Sequence, residues 1–377
     1  MDTRAKVNPE MMKWARERAG FTNGFEDTLP GDIKSSYELW ESGERSPTWK
    51  QLRHVSKRYC LPTAFFFRSH PIDFEEDPVF INYRKLDNLD YSNKSPDLIK
   101  NIRKSEIRRN IFVDLLDELN EDGVTFEKFS GKINKMNIIN HIRKVLNVSL
   151  DEQKKLSKDS EHYSVLNFWK EKFNEKLGIL IFETKNVTIE EMRALCIFYD
   201  KAPIILLNGK DSVNGRIFSL FHELTHLLLG ESAICDEKDI LKEEIFCNAV
   251  AGEFLVPSDD LNREYFEDFS DNALKKLSNL YGVSTYVIIR RLLDINKIRK
   301  QDYDSKVEEI GNNYKSKKKG SGGNHLNNQI KYYSKPYYRL VFDAYDRGKI
   351  NLADFMNYTN LKGKDMPELQ KRIYGGI

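Results

Sequence analysis

The chain has 377 residues, of which 40% are hydrophobic and 31% charged, a composition typical of globular proteins that bury a sizeable core. The 60 lysines and arginines nearly balance 58 aspartates and glutamates, so a net charge of +2 excludes a strong overall field for nucleic acid or acidic membranes. We expect a cytoplasmic protein without membrane contact, because the N-terminus is polar and no long apolar run follows. The four cysteines show no CxxC pairing, and we expect their thiols to be reduced.

Residues 1–70 are predicted to form a compact helical module. Asn8 followed by Pro9 is a helix-start signal, because asparagine caps the first turn and proline fits the first helical position. A second helix is predicted over about 33–41, and a third begins after Thr48.

Residues 71–160 begin with an extended acidic linker and continue with helical periodicity. Three short apolar runs rich in branched side chains follow, at 178–182, 194–198 and 203–207. Because each run is bounded by turn signals, we predict three strands of one small sheet. The last strand is a candidate for pairing with an extended substrate segment.

Helices are then predicted from about Val213 to Leu229, over 241–255 and over 271–296. A tract rich in lysine and glycine predicts a flexible basic linker, and an aromatic stripe follows in a last helical unit. The expected fold is therefore α+β and mostly helical. The predicted segments are 1–70, 71–160, 161–300, 301–334 and 335–377.

The pattern with the clearest chemical meaning is His222-Glu223-Leu224-Thr225-His226 inside the apolar helix 213–229. Histidines four residues apart lie on one helix face, so both imidazoles can reach one metal ion. Glu223 lies about 100° round the helix, where it can take a proton from an attacking water as a general base. Chance alone can produce so short a pattern, and its apolar helical setting favours a metal site.

A third metal ligand is expected on the next helix, where Glu244 is our first choice and Glu243 is the rival. Two histidines and one glutamate, with water in the fourth position, are a familiar set for catalytic zinc. Manganese or another divalent ion could use the same ligands. Asn248 follows Glu244 by one turn, so its amide is predicted to orient a metal ligand from the second layer of contacts.

The stretch from Gly178 to Pro257 resembles the ImmA/IrrE family of metallopeptidases. One matching block is 216–230, which contains the two histidines. The other is 244–257, in which Cys247 and Val250 replace the alanine and phenylalanine commonly found there. The resemblance implies a zincin-like core with a small sheet and an HExxH helix.

The resemblance also implies that His222, His226 and Glu244 bind one zinc ion and that Glu223 is the catalytic base of an endopeptidase. The implied substrate is a protein, typically a helix-turn-helix repressor cleaved in a stress-response, mobile-element or toxin–antitoxin switch. The competing hypothesis is a DNA- or protein-binding regulator whose peptidase domain serves as a sensor or interaction module. The intact motif favours the enzyme.

Residues 1–70 are similar to the Xre-type helix-turn-helix module found ahead of such peptidases, most clearly over 39–44 and 47–52. Segments 271–296 and 335–377 resemble the helical tail of the same fusions. The first helix of the DNA-binding pair, expected between residues 22 and 31, is degenerate. The module could equally bind protein as DNA; its candidate DNA contacts are Lys34, Ser35, Ser36 and Tyr37.

Overall fold

The computed structural model describes residues 4–21, 29–70, 94–230, 237–265, 267–315 and 325–375. Contacts divide the chain into two compact units. The first comprises residues 1–107 with 185–187, and the second 108–184 with 188–377. The first unit thus extends beyond the predicted module at 1–70. The predicted α+β, mostly helical fold is confirmed by many helices and one small sheet.

The described residues of the first unit form four α-helices, a short 3-10 helix at Thr63–Phe67 and the beginning of a fifth α-helix. The α-helices are α1 Pro9–Arg18, α2 Gly31–Lys34, α3 Tyr37–Glu41, α4 Trp49–Tyr59 and α5 Pro96–Glu118. Asn8 caps α1 by accepting a hydrogen bond from the Glu10 amide, and Thr48 forms a capping box with Gln51 at α4. Both predicted helix starts are therefore present.

The predicted helix over 33–41 is wrong as a single element, because the chain leaves helical geometry at Ser36, whose φ is −121° and ψ −5°. Serine side chains compete for backbone groups, and Ser35 donates to the carbonyl of Gly31. The helix expected between residues 22 and 31 falls mainly on residues 22–28, outside the described part.

The second unit places the end of α5 and three further helices before its sheet: α6 Lys135–Leu146, α7 Leu150–Asp159 and α8 His162–Leu177. The strands are β1 Leu180–Glu183, β2 Ala194–Ile197 and β3 Ile204–Leu207. Their order is β1-β3-β2, with β1 parallel and β2 antiparallel to β3.

The sheet order corrects the prediction that the strand at 203–207 pairs with substrate. Since β3 is hydrogen-bonded on both sides, it has no edge to offer. Helix α15 (His325–Tyr333) packs against β1. The described residues place no strand beyond β2, so β2 is the available edge.

The remaining helices follow the sheet in chain order. They are α9 Val213–Leu229, α10 Glu237–Leu255, α11 Ser258–Glu264, α12 Asp271–Tyr281, α13 Thr285–Asp294, α14 Lys300–Lys315, α15 His325–Tyr333, α16 Lys335–Asp346, α17 Leu352–Thr359 and α18 Met366–Tyr374. The helix predicted over 271–296 is two helices, because Gly282 adopts a left-handed φ of +69° and ends α12.

The flexible linker predicted over 301–334 is largely helical, since α14 and α15 occupy both of its ends. Within this segment, the tract over 316–324, which has three glycines and three lysines, falls outside the described residues. In the described part of the chain, no helix combines the length and apolar character that crossing a bilayer requires.

A buried ionic network ties the end of α10 to its neighbours. Glu253 accepts hydrogen bonds from Arg291 (2.7 Å), Lys135 (2.9 Å) and the Ser258 amide (2.8 Å). Burial alone would raise the pKa of Glu253, but these donors outweigh it and lower the pKa to about 2. The network therefore anchors the helix that carries Glu244.

Candidate active site

Helix α9 presents the two histidines from its last turns. Ser212 caps the helix by accepting a hydrogen bond from the Gly215 amide at 3.0 Å, and Gly230 ends it at a φ of +71°. Leu220, Leu224 and Leu227 are fully or almost fully buried. These apolar residues seat one side of α9 in the core and leave the histidine face partly open.

An aromatic cluster beneath the histidines joins α9 to α8 and α10. Phe221 stacks on Phe254 with ring centroids 4.3 Å apart. It meets Trp169 and Phe173 edge-on, at centroid distances of 5.0 and 5.3 Å. All four rings are buried and closely packed, so they fix the distance between α9 and α10. They thereby fix the distance between the histidines of α9 and the glutamates of α10.

Three side chains from these two helices converge. The Nε2 atoms of His222 and His226 are 3.1 Å apart. The Glu244 carboxylate reaches both rings with different oxygens: Oε2 lies 3.3 Å from His222 Nε2 and Oε1 lies 3.1 Å from His226 Nε2. The structure thus brings together the three residues that the sequence predicts as metal ligands.

The spacing of these atoms fits one tetrahedral zinc ion. Ligand atoms about 2.05 Å from zinc at tetrahedral angles are separated by about 3.3 Å. This is close to the distance between the two Nε2 atoms and to the distance from each Nε2 to its nearer Glu244 oxygen. Burial, followed by the charge of His226, lowers the pKa of His222. A lowered pKa keeps the imidazole neutral, the form that binds metal. The donor set and its geometry therefore fit the metal that the motif implies.

Glu243, the rival ligand, lies on the far side of His226. Its carboxylate is 2.9 Å from His226 Nδ1 and its side chain is 14% exposed. In this position it accepts the Nδ1 proton and aims Nε2 at Glu244. Glu243, His226 and Cys247 also form a second cluster of possible ligand atoms. Substituting Glu243 and Glu244 one at a time distinguishes which carboxylate binds the metal.

Asn248 lies one turn after Glu244 and reaches both helices. Its side chain hydrogen-bonds His222, and its amide nitrogen donates to the Glu244 carbonyl oxygen at 2.8 Å. This geometry is compatible with its predicted role in orienting a ligand.

Glu223 contacts strand β2 and lies close enough to His226 and Glu244 to interact with their charges. It is 8% exposed, and burial raises its pKa to about 7. The Cys196 thiol of β2 hydrogen-bonds the Glu223 carboxylate, and burial in turn raises the thiol pKa well above its ordinary value. Our sequence reasoning missed Cys196, since a lone cysteine in a strand carries no signal of what lies opposite.

The four candidate DNA contacts differ in accessibility. Lys34 and Ser35 are exposed, whereas Ser36 is 7% and Tyr37 1% exposed. The Tyr37 hydroxyl accepts a 2.6 Å hydrogen bond from Tyr59 within the core of the first unit. Both side chains are buried, so Ser36 and Tyr37 offer little surface for contact with DNA.

In comparisons with known proteins, residues 174–293 match the family model of the IrrE N-terminal-like domain, peptidase family M78. The match covers about a third of the 377-residue chain and includes the sheet, the two histidines and Glu244. No curated protein and no solved structure matches the chain. The family match supports a metallopeptidase-type function for this segment and an ImmA/IrrE-like peptidase part.

Proposed function

We propose that this chain is a zinc-dependent endopeptidase in which His222, His226 and Glu244 hold the metal and Glu223 is the general base. The observation that carries the proposal is the convergence of the two imidazole Nε2 atoms, 3.1 Å apart, with the Glu244 carboxylate, whose Oε1 lies 3.1 Å from His226 and whose Oε2 lies 3.3 Å from His222. A buried carboxylate on the same helix lies beside them, as peptide hydrolysis requires.

Zinc at this position would polarise the scissile carbonyl and acidify a nearby water. Glu223 takes one proton from the attacking water as the oxygen adds to the carbonyl carbon. It then passes that proton to the amine that leaves when the carbon–nitrogen bond breaks.

The outer edge of β2 is our proposed place for the substrate backbone. Because Cys196 of β2 touches Glu223, a segment paired with this edge would pass beside the base. We propose a protein substrate of narrow specificity, a helix-turn-helix repressor, on the ground of the family resemblance. DNA binding by the first unit remains a prediction, for which Lys34 and Ser35 are the exposed candidates.

The first test is metal content of the purified chain by mass spectrometry, with His226→Ala and Glu244→Ala beside the wild type. We expect about one zinc per chain, lost in both variants. A wild type that contains no zinc and takes up none would refute the metal site.

The second test is Glu223→Gln, which keeps the size of the side chain but removes the base. We expect retained fold and zinc, with peptide hydrolysis reduced by about 10²–10⁴-fold. If the variant keeps full biological activity, the competing hypothesis of a binding regulator is favoured instead.

A further inference from the structure

The second unit contains a cavity of about 360 Å³ at the β1 edge of the sheet. Helices α8, α15, α16 and α18 supply its walls together with β1, and no lining residue belongs to the proposed metal site. Ile179, Ile181 and Ile330 give it an apolar side, and Tyr163 adds a ring. A volume of this size suits a small molecule.

Positively charged side chains outnumber negatively charged ones in the lining of the cavity. Four are cationic, namely Lys170, Lys331, Lys335 and Arg372, whereas Glu171 is the single carboxylate. Lys335 pairs with Glu171 at 3.2 Å. The lining therefore has more positive charge than its own carboxylate can neutralise.

Carboxylates behind the lining do not remove the excess. Lys170 pairs with the buried Glu183, but Glu183 also holds Arg216 of α9 at 2.6 Å. We count together the charged residues of the lining and the charged residues linked to them by ion pairs. This cluster has six cations and three carboxylates. They are Lys170, Lys331, Lys335, Arg372, Arg216, Arg339, Glu171, Glu183 and Glu368.

Lys331 carries the least compensated of these charges. Its ammonium lies 4.2 Å from the centre of the Tyr163 ring, and within the described residues no carboxylate pairs with it. Burial lowers the pKa of Lys170, against the effect of Glu183, and the charges of Arg216 and Lys331 lower it further. An anion in the cavity would relieve this repulsion.

We propose that the cavity binds a small phosphate monoester of mononucleotide size. A phosphate monoester carries a charge near −2 at neutral pH, which the cationic excess can balance. The lysines and Arg372 would contact the phosphate, and the amides of Asn167, Asn174 and Asn327 supply further donors. The apolar side and the tyrosine ring accommodate the organic part.

The test is titration calorimetry of the full chain with adenosine 5′-monophosphate, adenosine and inorganic phosphate. We expect the monophosphate to bind, inorganic phosphate to compete with it, and adenosine to bind much more weakly. Lys331→Gln and Arg372→Gln should each weaken the monophosphate by about tenfold or more. Lys349→Gln, an exposed lysine outside the cavity, is the matched control and should leave binding unchanged.

Absence of binding by both the monophosphate and inorganic phosphate at about 10 mM would overturn the proposal. So would an affinity that Lys331→Gln and Arg372→Gln leave unchanged, since the anion would then bind elsewhere. Thermal unfolding of each variant without ligand verifies that it is folded. Because the readout is binding and not hydrolysis, this outcome is independent of the proposed peptidase function.

Discussion

Replacing Glu243 by glutamine removes the charge that accepts the 2.9 Å hydrogen bond from His226 Nδ1. The carboxylate is only 14% exposed, so water cannot fully replace it. Loss of such a partner behind a metal-binding histidine weakens metal binding about 10–100-fold, or about 1.4 to 2.7 kcal/mol. We expect Glu243→Gln to fall in this range and Glu244→Gln, which removes a proposed ligand, to lose more.

The measurement is zinc affinity by competition with a chromophoric chelator, on wild type, Glu243→Gln, Glu244→Gln and an exposed control, Glu308→Gln. The control should match the wild type. A larger loss in Glu243→Gln than in Glu244→Gln would refute the assignment and place the ion among Glu243, His226 and Cys247. An unchanged affinity in Glu243→Gln would show that its hydrogen bond does not tune the site.

Three further predictions concern stability. Gly178→Ala places a Cβ against the Val124 carbonyl oxygen at a φ of +67°. In urea unfolding it should cost at least about 2 kcal/mol more than Gly348→Ala, where the φ is also positive but the space is open. Phe254→Ala should cost about 3–5 kcal/mol and weaken zinc binding, because the stacked ring beneath the histidines is lost. Glu253 has its pKa lowered from 4.5 to about 2 by its buried donors, so it stabilises the fold above pH 4.5 and loses this effect as the pH falls. When the pH falls from 6 to 3, protonation of Glu253 should lower the free energy of unfolding by up to about 2 kcal/mol. The Glu253→Gln variant should not show this part of the decrease.

Features that depend on neighbours along the chain could be predicted from the sequence. Helix α9 spans Val213–Leu229 as expected, because its serine cap and terminal glycine are local signals. Strands β2 and β3 also lie within their apolar runs, and β1 extends one residue beyond its run, to Glu183. His222 and His226 share a face because one turn of any α-helix brings residues four apart together.

Features that depend on how elements dock were decided only by the tertiary structure. Glu243 and Glu244 are about 100° apart on one helix, and the packing of α10 on α9 determines which faces both histidines. Strand order left β2 as the available edge and placed Cys196 against Glu223. The burial of Tyr37 and the cationic cavity beside β1 likewise arise from contacts between residues distant in sequence, which no local pattern records.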